Sequence, residues 1–100
     1  MTAPTSTQTV TVKLSASLRA AAGIKEMHIP WTPQMNVRDL LLALGARSPA
    51  LAERLLDHDQ TLSKGVQVLV NGRHIDFLSG LDTPISATDS VLLIPPVGGG

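Results

Sequence analysis

The sequence predicts an α+β domain in which a mixed β-sheet of four to five strands packs against one main helix and a shorter second helix. Three observations lead to this prediction. Two stretches near the N-terminus alternate apolar and polar residues, a helical pattern follows them, and further strand patterns fill the second half of the chain. A helical segment between strands is typical of a sheet with that helix across one face.

The composition fits a single folded domain and excludes several classes of protein. The 100 residues are 43% hydrophobic and 16% charged, with a formal net charge of zero. This balance is typical of folded chains and gives no electrostatic argument for a nucleic-acid or membrane partner. The absence of cysteine excludes disulfides, thiolate catalysis and iron–sulfur ligation. Because the N-terminal stretch also lacks a secretory pattern, we expect a cytoplasmic protein.

The first two predicted strands lie on either side of a short helical turn. Alternating valine and leucine predict a strand over Thr9–Ser15, preceded by a disordered lead-in of residues 1–8. The turn in "LRAAAGI" stops at Gly23, since glycine readily adopts a left-handed helix end. The stretch "EMHIPW" alternates again. Its Pro30 predicts an edge strand, because proline cannot donate to a hydrogen-bond ladder.

The helical part of the chain contains two start signals. Asn36 is a good N-cap for "VRDLLLALGA", whose apolar residues recur at i, i+3, i+4 and i+7. Gly45 is expected to end this main helix. Ser48 followed by Pro49 predicts the start of a shorter helix that runs through about Leu56.

The second half of the chain predicts a hairpin and a closing strand. In "VQVLVNGRHI", alternating valines precede an Asn71-Gly72 turn, and a short strand continues to Ile75. After a turn-rich stretch, "SVLLIP" contains four consecutive apolar residues, which predicts a strand buried on both faces. If the two hairpins flank the first and last strands, those strands are parallel and central. This arrangement is the β-grasp, or ubiquitin-like, fold.

The chain ends in "IPPVGGG", for which two interpretations stand. Termini are usually loose, so this segment is either a frayed or engineered end or a functional tail. In the functional interpretation, Pro95 and Pro96 keep the exit from the sheet extended. The glycines are thin enough to enter a narrow channel. We take residues 9–95 as the domain and residues 96–100 as a flexible, reactive tail.

With these residues in view, the chain resembles the MoaD/ThiS-type sulfur-carrier proteins. "LSASLRAAAG" is similar to their first strand and turn, and "FLSGLDTPISATDSVLLIPPVGGG" is similar to their C-terminal third. The most specific part is Pro95-Pro96-Val97 directly after a closing strand, with a terminal diglycine. The chain departs from the family at Gly98, where Ala or Thr is frequent, at Leu93 and Ile94, where Phe is frequent, and in its N-terminal extension.

The resemblance implies a carrier rather than a catalyst, with no catalytic residue, metal site or bound cofactor of its own. A ubiquitin-activating-type adenylyltransferase would use ATP to join the Gly100 carboxylate to AMP. A sulfurtransferase or cysteine desulfurase would then convert it to a thiocarboxylate. Pro95, Pro96, Val97, Gly98 and Gly99 would pass through the partner's active site.

The resemblance leaves the destination of the activated carboxylate open. The sulfur would go to an acceptor enzyme, such as the molybdopterin synthase large subunit or another biosynthetic enzyme. Alternatively, Gly100 would form an isopeptide bond to a lysine, as in a protein modifier. The third possibility is an interaction domain with an inert tail.

A docking patch for the partner is expected on one face of the sheet. In "VLLI", Val91 and Leu93 point to one side of the strand, while Leu92 and Ile94 point to the other. One pair lies under the helix. We predict that Leu92 and Ile94 form the patch, together with the Val66/Val68/Val70 or the Gln67/Leu69 set. Arg19, which matches an arginine frequent in the family's turn, is its third predicted member. The alternative is that the loop of residues 57–64 covers this face.

Histidine and acidic residues do not predict a metal site. His28, His58 and His74 are too scattered along the chain for ligand spacing. The "DHD" stretch at residues 57–59 is better explained as a solvated loop than as a cation site.

Overall fold

The computed structural model describes residues 8–57, 59 and 61–96. The predicted lead-in lies outside these residues except for Gln8, whose carbonyl accepts a 2.8 Å hydrogen bond from Trp31 N–H. The strands are β1 (Thr9–Leu14), β2 (Glu26–Pro30), β3 (Gln67–Val70), β4 (Arg73–His74) and β5 (Ser90–Ile94). The helices are α1 (Ala16–Ala22), α2 (Val37–Arg47) and α3 (Pro49–Leu55), and short 3₁₀ turns span Ile75–Phe77 and Gly80–Asp82.

The described strands form one mixed sheet, as predicted. Its order is β2-β1-β5-β3-β4, with β1 and β5 parallel and the other neighbours antiparallel. The first and last strands are therefore central, and β2, which contains Pro30, lies at an edge. The proline costs no ladder hydrogen bond in that position.

The start of α2 is held by a reciprocal pair of hydrogen bonds. The Asn36 side chain accepts a 2.9 Å bond from Asp39 N–H, and the Asp39 carboxylate accepts a 3.2 Å bond from Asn36 N–H. This capping box satisfies two backbone donors that a helix start leaves without partners. The predicted N-cap is confirmed.

The predicted end of α2 at Gly45 is wrong, because the helix continues to Arg47. Gly45 faces α3, where a Cβ added to it would lie 2.9 Å from the Ala52 Cβ atom. The glycine therefore permits a close approach of the two helices rather than a stop. The second helix starts at Pro49, as predicted, although the Ser48 side chain makes no capping bond.

The predicted hairpin is present but shorter than expected. Asn71 and Gly72 have φ values of 53° and 82°, the positive pair that a two-residue hairpin turn requires. Ile75 does not continue β4. It begins a 3₁₀ turn and is buried, and the His74 Nδ1 atom accepts a 3.1 Å bond from Asp76 N–H.

The hydrophobic core lies between one face of the sheet and the helices. All three helices contribute buried leucines to it, namely Leu18, Leu40, Leu41, Leu44, Leu51 and Leu55. From β5, Val91 and Leu93 join this core, whereas Leu92 and Ile94 are only half-buried. The prediction that β5 is buried on both faces is therefore wrong. A run of four apolar residues is typical of a strand covered on both faces, but here the helices pack on one face only.

Candidate functional site: the open sheet face and the root of the tail

The C-terminal segment leaves the domain directly after β5. Gln67 and Ile94 form the last pair of the β3–β5 ladder, and Pro95 and Pro96 follow. Neither proline has an N–H group with which to extend that ladder. Pro95 is buried and Pro96 is exposed, so the chain passes from the body of the domain to its surface within two residues. Val97, Gly98, Gly99 and Gly100, the predicted reactive end, lie outside the described residues.

A groove of about 310 Å³ lies beside this exit. It is bounded by α1, α3 and the turn before β3, and its lining consists of Ser17, Leu18, Glu53, Arg54, Ser63, Lys64, Pro95 and Pro96. Arg54 and Lys64 carry positive charge in this lining and Glu53 carries negative charge. The groove beside the start of the tail therefore combines charged and polar side chains with leucine and proline.

The face of the sheet opposite the core is here called the open face. Leu92 is paired with Leu69 on β3 and with Lys13 on β1, and Ile94 is paired with Gln67. Directly opposed residues point to the same side of a sheet. Of the two β3 sets predicted to accompany Leu92, the Gln67/Leu69 set lies on this face, and Val66, Val68 and Val70 are buried in the core.

Polar residues border the apolar part of the open face on β1 and β2. Lys13 is paired with Glu26, and the Glu26 carboxylate lies 3.1 Å from His28 Nε2. The Thr11 hydroxyl lies 3.2 Å from His28 Nδ1. The open face therefore combines an apolar strip, formed by Leu69, Leu92 and Ile94, with a charged border.

The alternative prediction is that the loop of residues 57–64 covers the open face. Ser63 N–H donates a 2.8 Å bond to the Leu55 carbonyl at the end of α3, and Leu56 and Leu62 form an isolated β-bridge. These bonds attach the described part of the loop to the helical layer, and they give no support to the alternative. His58 and Gln60 lie outside the described residues.

The three residues predicted as a docking patch lie on two different elements. Leu92 and Ile94 lie on the open face, and Arg19 is exposed on α1. Two other α1 residues, Ser17 and Leu18, line the groove beside the tail root. Arg19 thus belongs to the helix that borders the exit of the chain, rather than to the strand that carries the apolar strip.

Phe77 is an exposed aromatic residue that is not among the predicted site residues. It is 82% exposed and meets the His74 ring edge-on, with ring centroids 6.4 Å apart. His74 in turn is paired with Leu69 of the open face. The sequence contains an indication of this exposure. The only phenylalanine of the chain falls in a stretch predicted to consist of turns, where no regular element would carry it into the core.

Neither a metal site nor a membrane span is found among the described residues. Among them, no group of three histidine or acidic side chains is placed to hold a metal ion. No helix in residues 8–57, 59 and 61–96 has the length and apolar character needed to cross a membrane.

The sheet order, the parallel central strands and the helices on one face define a ubiquitin-like β-grasp protein. In the sequence, its C-terminal strand is followed by two prolines, a valine and three glycines. The chain belongs to the ThiS family, whose model matches residues 12–100. It is therefore a member of the ubiquitin-like sulfur carriers and modifiers.

Individual relatives agree with this assignment. Small archaeal modifier protein 3 of Haloferax volcanii is 34% identical over 89 residues, which cover 89% of this chain and 96% of that protein. The crystal structure of SAMP1 from the same organism has a TM-score of 0.81 at 33% identity, covering 92% of this chain and 99% of that one. A chain of the Amycolatopsis orientalis BexX/CysO complex has a TM-score of 0.74 at 25% identity, covering 91% and 99%.

Proposed function

We propose that this protein is a sulfur carrier whose C-terminal carboxylate, on Gly100, is adenylated and then converted to a thiocarboxylate. The observation that carries the proposal is that the ThiS family match extends to residue 100 and so includes the terminal glycines. The two prolines after β5 support it, because they separate those glycines from the hydrogen-bonded sheet.

The chemistry needs a partner for each step. A carboxylate oxygen of Gly100 attacks the α-phosphorus of ATP in an adenylyltransferase, and pyrophosphate leaves. The terminal sulfur of a persulfide on the sulfur donor then attacks the acyl carbon, and AMP leaves. A thiol cleaves the resulting S–S bond, which forms a disulfide on the donor and leaves the thiocarboxylate on Gly100. An acceptor enzyme, of which the molybdopterin synthase large subunit is one form, takes the sulfur.

We further propose that the open face docks the partner enzyme. An apolar centre with a polar rim is the usual anatomy of a protein interface, and the strip of Leu69, Leu92 and Ile94 beside Lys13 and Glu26 fits that pattern. Phe77 extends this surface as an exposed aromatic anchor, a residue type enriched among binding hot spots. Arg19 would contact a partner carboxylate beside the exit of the tail.

A protein modifier remains the second candidate, and the names of the Haloferax relatives favour it. In that function the same acyl adenylate, or a thioester formed from it, is transferred to a lysine amine. Both functions require a free Gly100 carboxylate, so they differ in what the activated group is transferred to.

Intact mass spectrometry of the protein isolated from its native host tests the proposal. The expected result is a mass gain that matches replacement of one oxygen atom by sulfur, located on the C-terminal peptide. Isopeptide conjugates on lysines of other proteins, without the sulfur-containing form, would instead support the modifier. Removal of Gly100 is expected to abolish both products, and removal of residues 1–7 at the other end is the control and is expected to abolish neither. If the variant without Gly100 functions normally, both chemical proposals fail.

The docking surface is tested with Leu92→Asp and Ile94→Asp. Because both side chains are only half-buried, we expect folded proteins that no longer bind the adenylyltransferase of the native host. Circular dichroism reports the fold, and calorimetric titration reports the binding. Variants that unfold would contradict the assignment of Leu92 and Ile94 to a docking surface, because they would show that these side chains are needed for the core.

A further inference from the structure

Gly65, which lies outside the tail, packs against Pro96, the first residue of the tail. Gly65 lies in the turn before β3 and has a φ of +86°, a backbone conformation that other residues rarely adopt. A Cβ atom added to it would lie 2.9 Å from the Pro96 Cβ atom and 3.1 Å from Pro96 Cγ. The Pro96 ring therefore occupies the space that a side chain at position 65 would need.

The turn that contains Gly65 is bonded to the helical layer. Val66 N–H donates a 3.1 Å bond to the Ser63 carbonyl, which closes the turn around Gly65. Ser63 N–H in turn donates a 2.8 Å bond to the Leu55 carbonyl of α3. Pro96 thus rests against a turn that is bonded to a helix whose Leu55 is fully buried.

The prolines alone do not define the direction of the chain. A proline ring fixes φ near −65° but leaves ψ free to rotate within its allowed region. The contact between Gly65 and the Pro96 ring restrains ψ of Pro95. A large rotation about that bond would move the Pro96 ring away from the turn or into it.

We propose that Gly65 is a positioning residue that seats the Pro96 ring and so sets the direction in which residues 97–100 leave the domain. The inference rests on the proposed function, since the direction of the tail matters only if Gly100 must enter a partner's active site. A preset direction lowers the entropy that docking would otherwise cost. Gly65 acts on the tail through Pro96.

The test compares Gly65→Ala with Gly72→Ala. Gly72 has a φ of +82°, but a Cβ added there meets nothing within 4 Å. Both variants therefore carry similar backbone strain, and only the first displaces Pro96. Thermal unfolding is expected to show a loss of stability for both variants, and a larger loss for Gly65→Ala, because only that variant also displaces Pro96.

The functional readout is ATP–pyrophosphate exchange by the adenylyltransferase of the native host, measured against carrier concentration. For Gly65→Ala we expect KM to rise about five- to thirtyfold, the factor that corresponds to releasing the backbone of one residue, with kcat changed less. For Gly72→Ala we expect the KM of the wild type. Equal KM values for the two variants would overturn the proposal.

The double variant Gly65→Ala/Pro96→Gly tests whether the effect passes through the proline ring. Pro96→Gly removes the ring that Gly65 seats, so adding Gly65→Ala is expected to raise KM no further. If the two single effects instead multiply, they are independent, and Gly65 does not act through Pro96.

A structural readout separates this inference from the proposed function. Amide residual dipolar couplings of Val97 and Gly98 are expected to change in Gly65→Ala and to stay unchanged in Gly72→Ala. If the wild-type protein supports no exchange, the proposed function fails, and the couplings still decide whether Gly65 directs the tail. Unchanged couplings in Gly65→Ala would overturn the inference even if the protein is adenylated.

Discussion

The two faces of β5 differ although the same types of residue form them. Val91 and Leu93 are 0% exposed beneath the helices, while Leu92 and Ile94 are half-buried on the open face. Side chains that alternate along one strand thus lie in two environments. The difference shows that the apolar character of a residue in a strand does not by itself predict its burial. Burial depends on what packs against that face of the sheet.

This difference gives the two faces of β5 unequal shares in stability, and it bears on the docking role proposed for the open face. A leucine buried in the core contributes the free energy of removing its whole side chain from water, and a half-buried leucine contributes only part of it. Apolar surface left on the open face is available to a partner at small cost to folding.

Leu93→Ala and Leu92→Ala form a matched pair at neighbouring positions. Leu93→Ala removes a fully buried side chain and is expected to lower the free energy of unfolding by about 2–5 kcal/mol. Leu92→Ala is expected to lower it by much less, since that side chain is already partly in water. Urea unfolding of both variants measures the contrast. Equal losses would show that the open face contributes to the core as the covered face does.

Gly45→Ala tests how closely the covering helices pack. Replacing glycine by alanine inside a helix normally stabilises it by about 1 kcal/mol. Here the new Cβ would lie 2.9 Å from the Ala52 Cβ atom. Because overpacking costs about 1–3 kcal/mol, we expect a net destabilisation of up to about 2 kcal/mol.

A second variant separates packing from helix propensity at this position. The double variant Gly45→Ala/Ala52→Gly is expected to lose less stability than the sum of its single changes, because the clash is removed. Thermal unfolding of the four proteins measures this coupling. A stabilised Gly45→Ala would mean that the two helices can move apart freely and that the covering layer is loosely packed.

Asp82→Ala is expected to have the smallest effect. Arg38 on α2 donates a 2.7 Å bond to the Asp82 carboxylate in the second 3₁₀ turn. Both side chains are more than a third exposed, so the pair is expected to contribute about 0.2–1 kcal/mol. A double-mutant cycle with Arg38→Ala measures the coupling, and raising the salt concentration should reduce it. A coupling well above this range would show that the pair is a main attachment of α2.

Features that depend on a few neighbouring residues were predictable from the sequence. The Asn36 cap, the Gly23 helix end and the Asn71-Gly72 turn follow from local backbone chemistry, and the structure confirms each. The edge position of β2 follows from the missing N–H of Pro30. The opposite orientations of Leu92 and Leu93 follow from the twofold period of a strand.

Features that depend on approach between distant segments were not predictable from local patterns. Glycine is common at helix ends, and so the sequence predicts a helix stop at Gly45, but the close approach of Ala52 on the next helix explains this glycine. Ile75 leaves the hairpin to join the core, and Phe77 remains exposed just after it.

The features of the candidate site likewise fall into those that the sequence determines and those that only the tertiary structure determines. The sequence by itself determined the order of the elements, the strand periodicity, the two prolines and the terminal glycines, because each depends on residue type and spacing. Only the tertiary structure decided which face of β5 the helices cover and that the Gly65 turn meets Pro96. Both depend on the packing of segments that are far apart in the chain, and single-residue propensities contain no information about such distances.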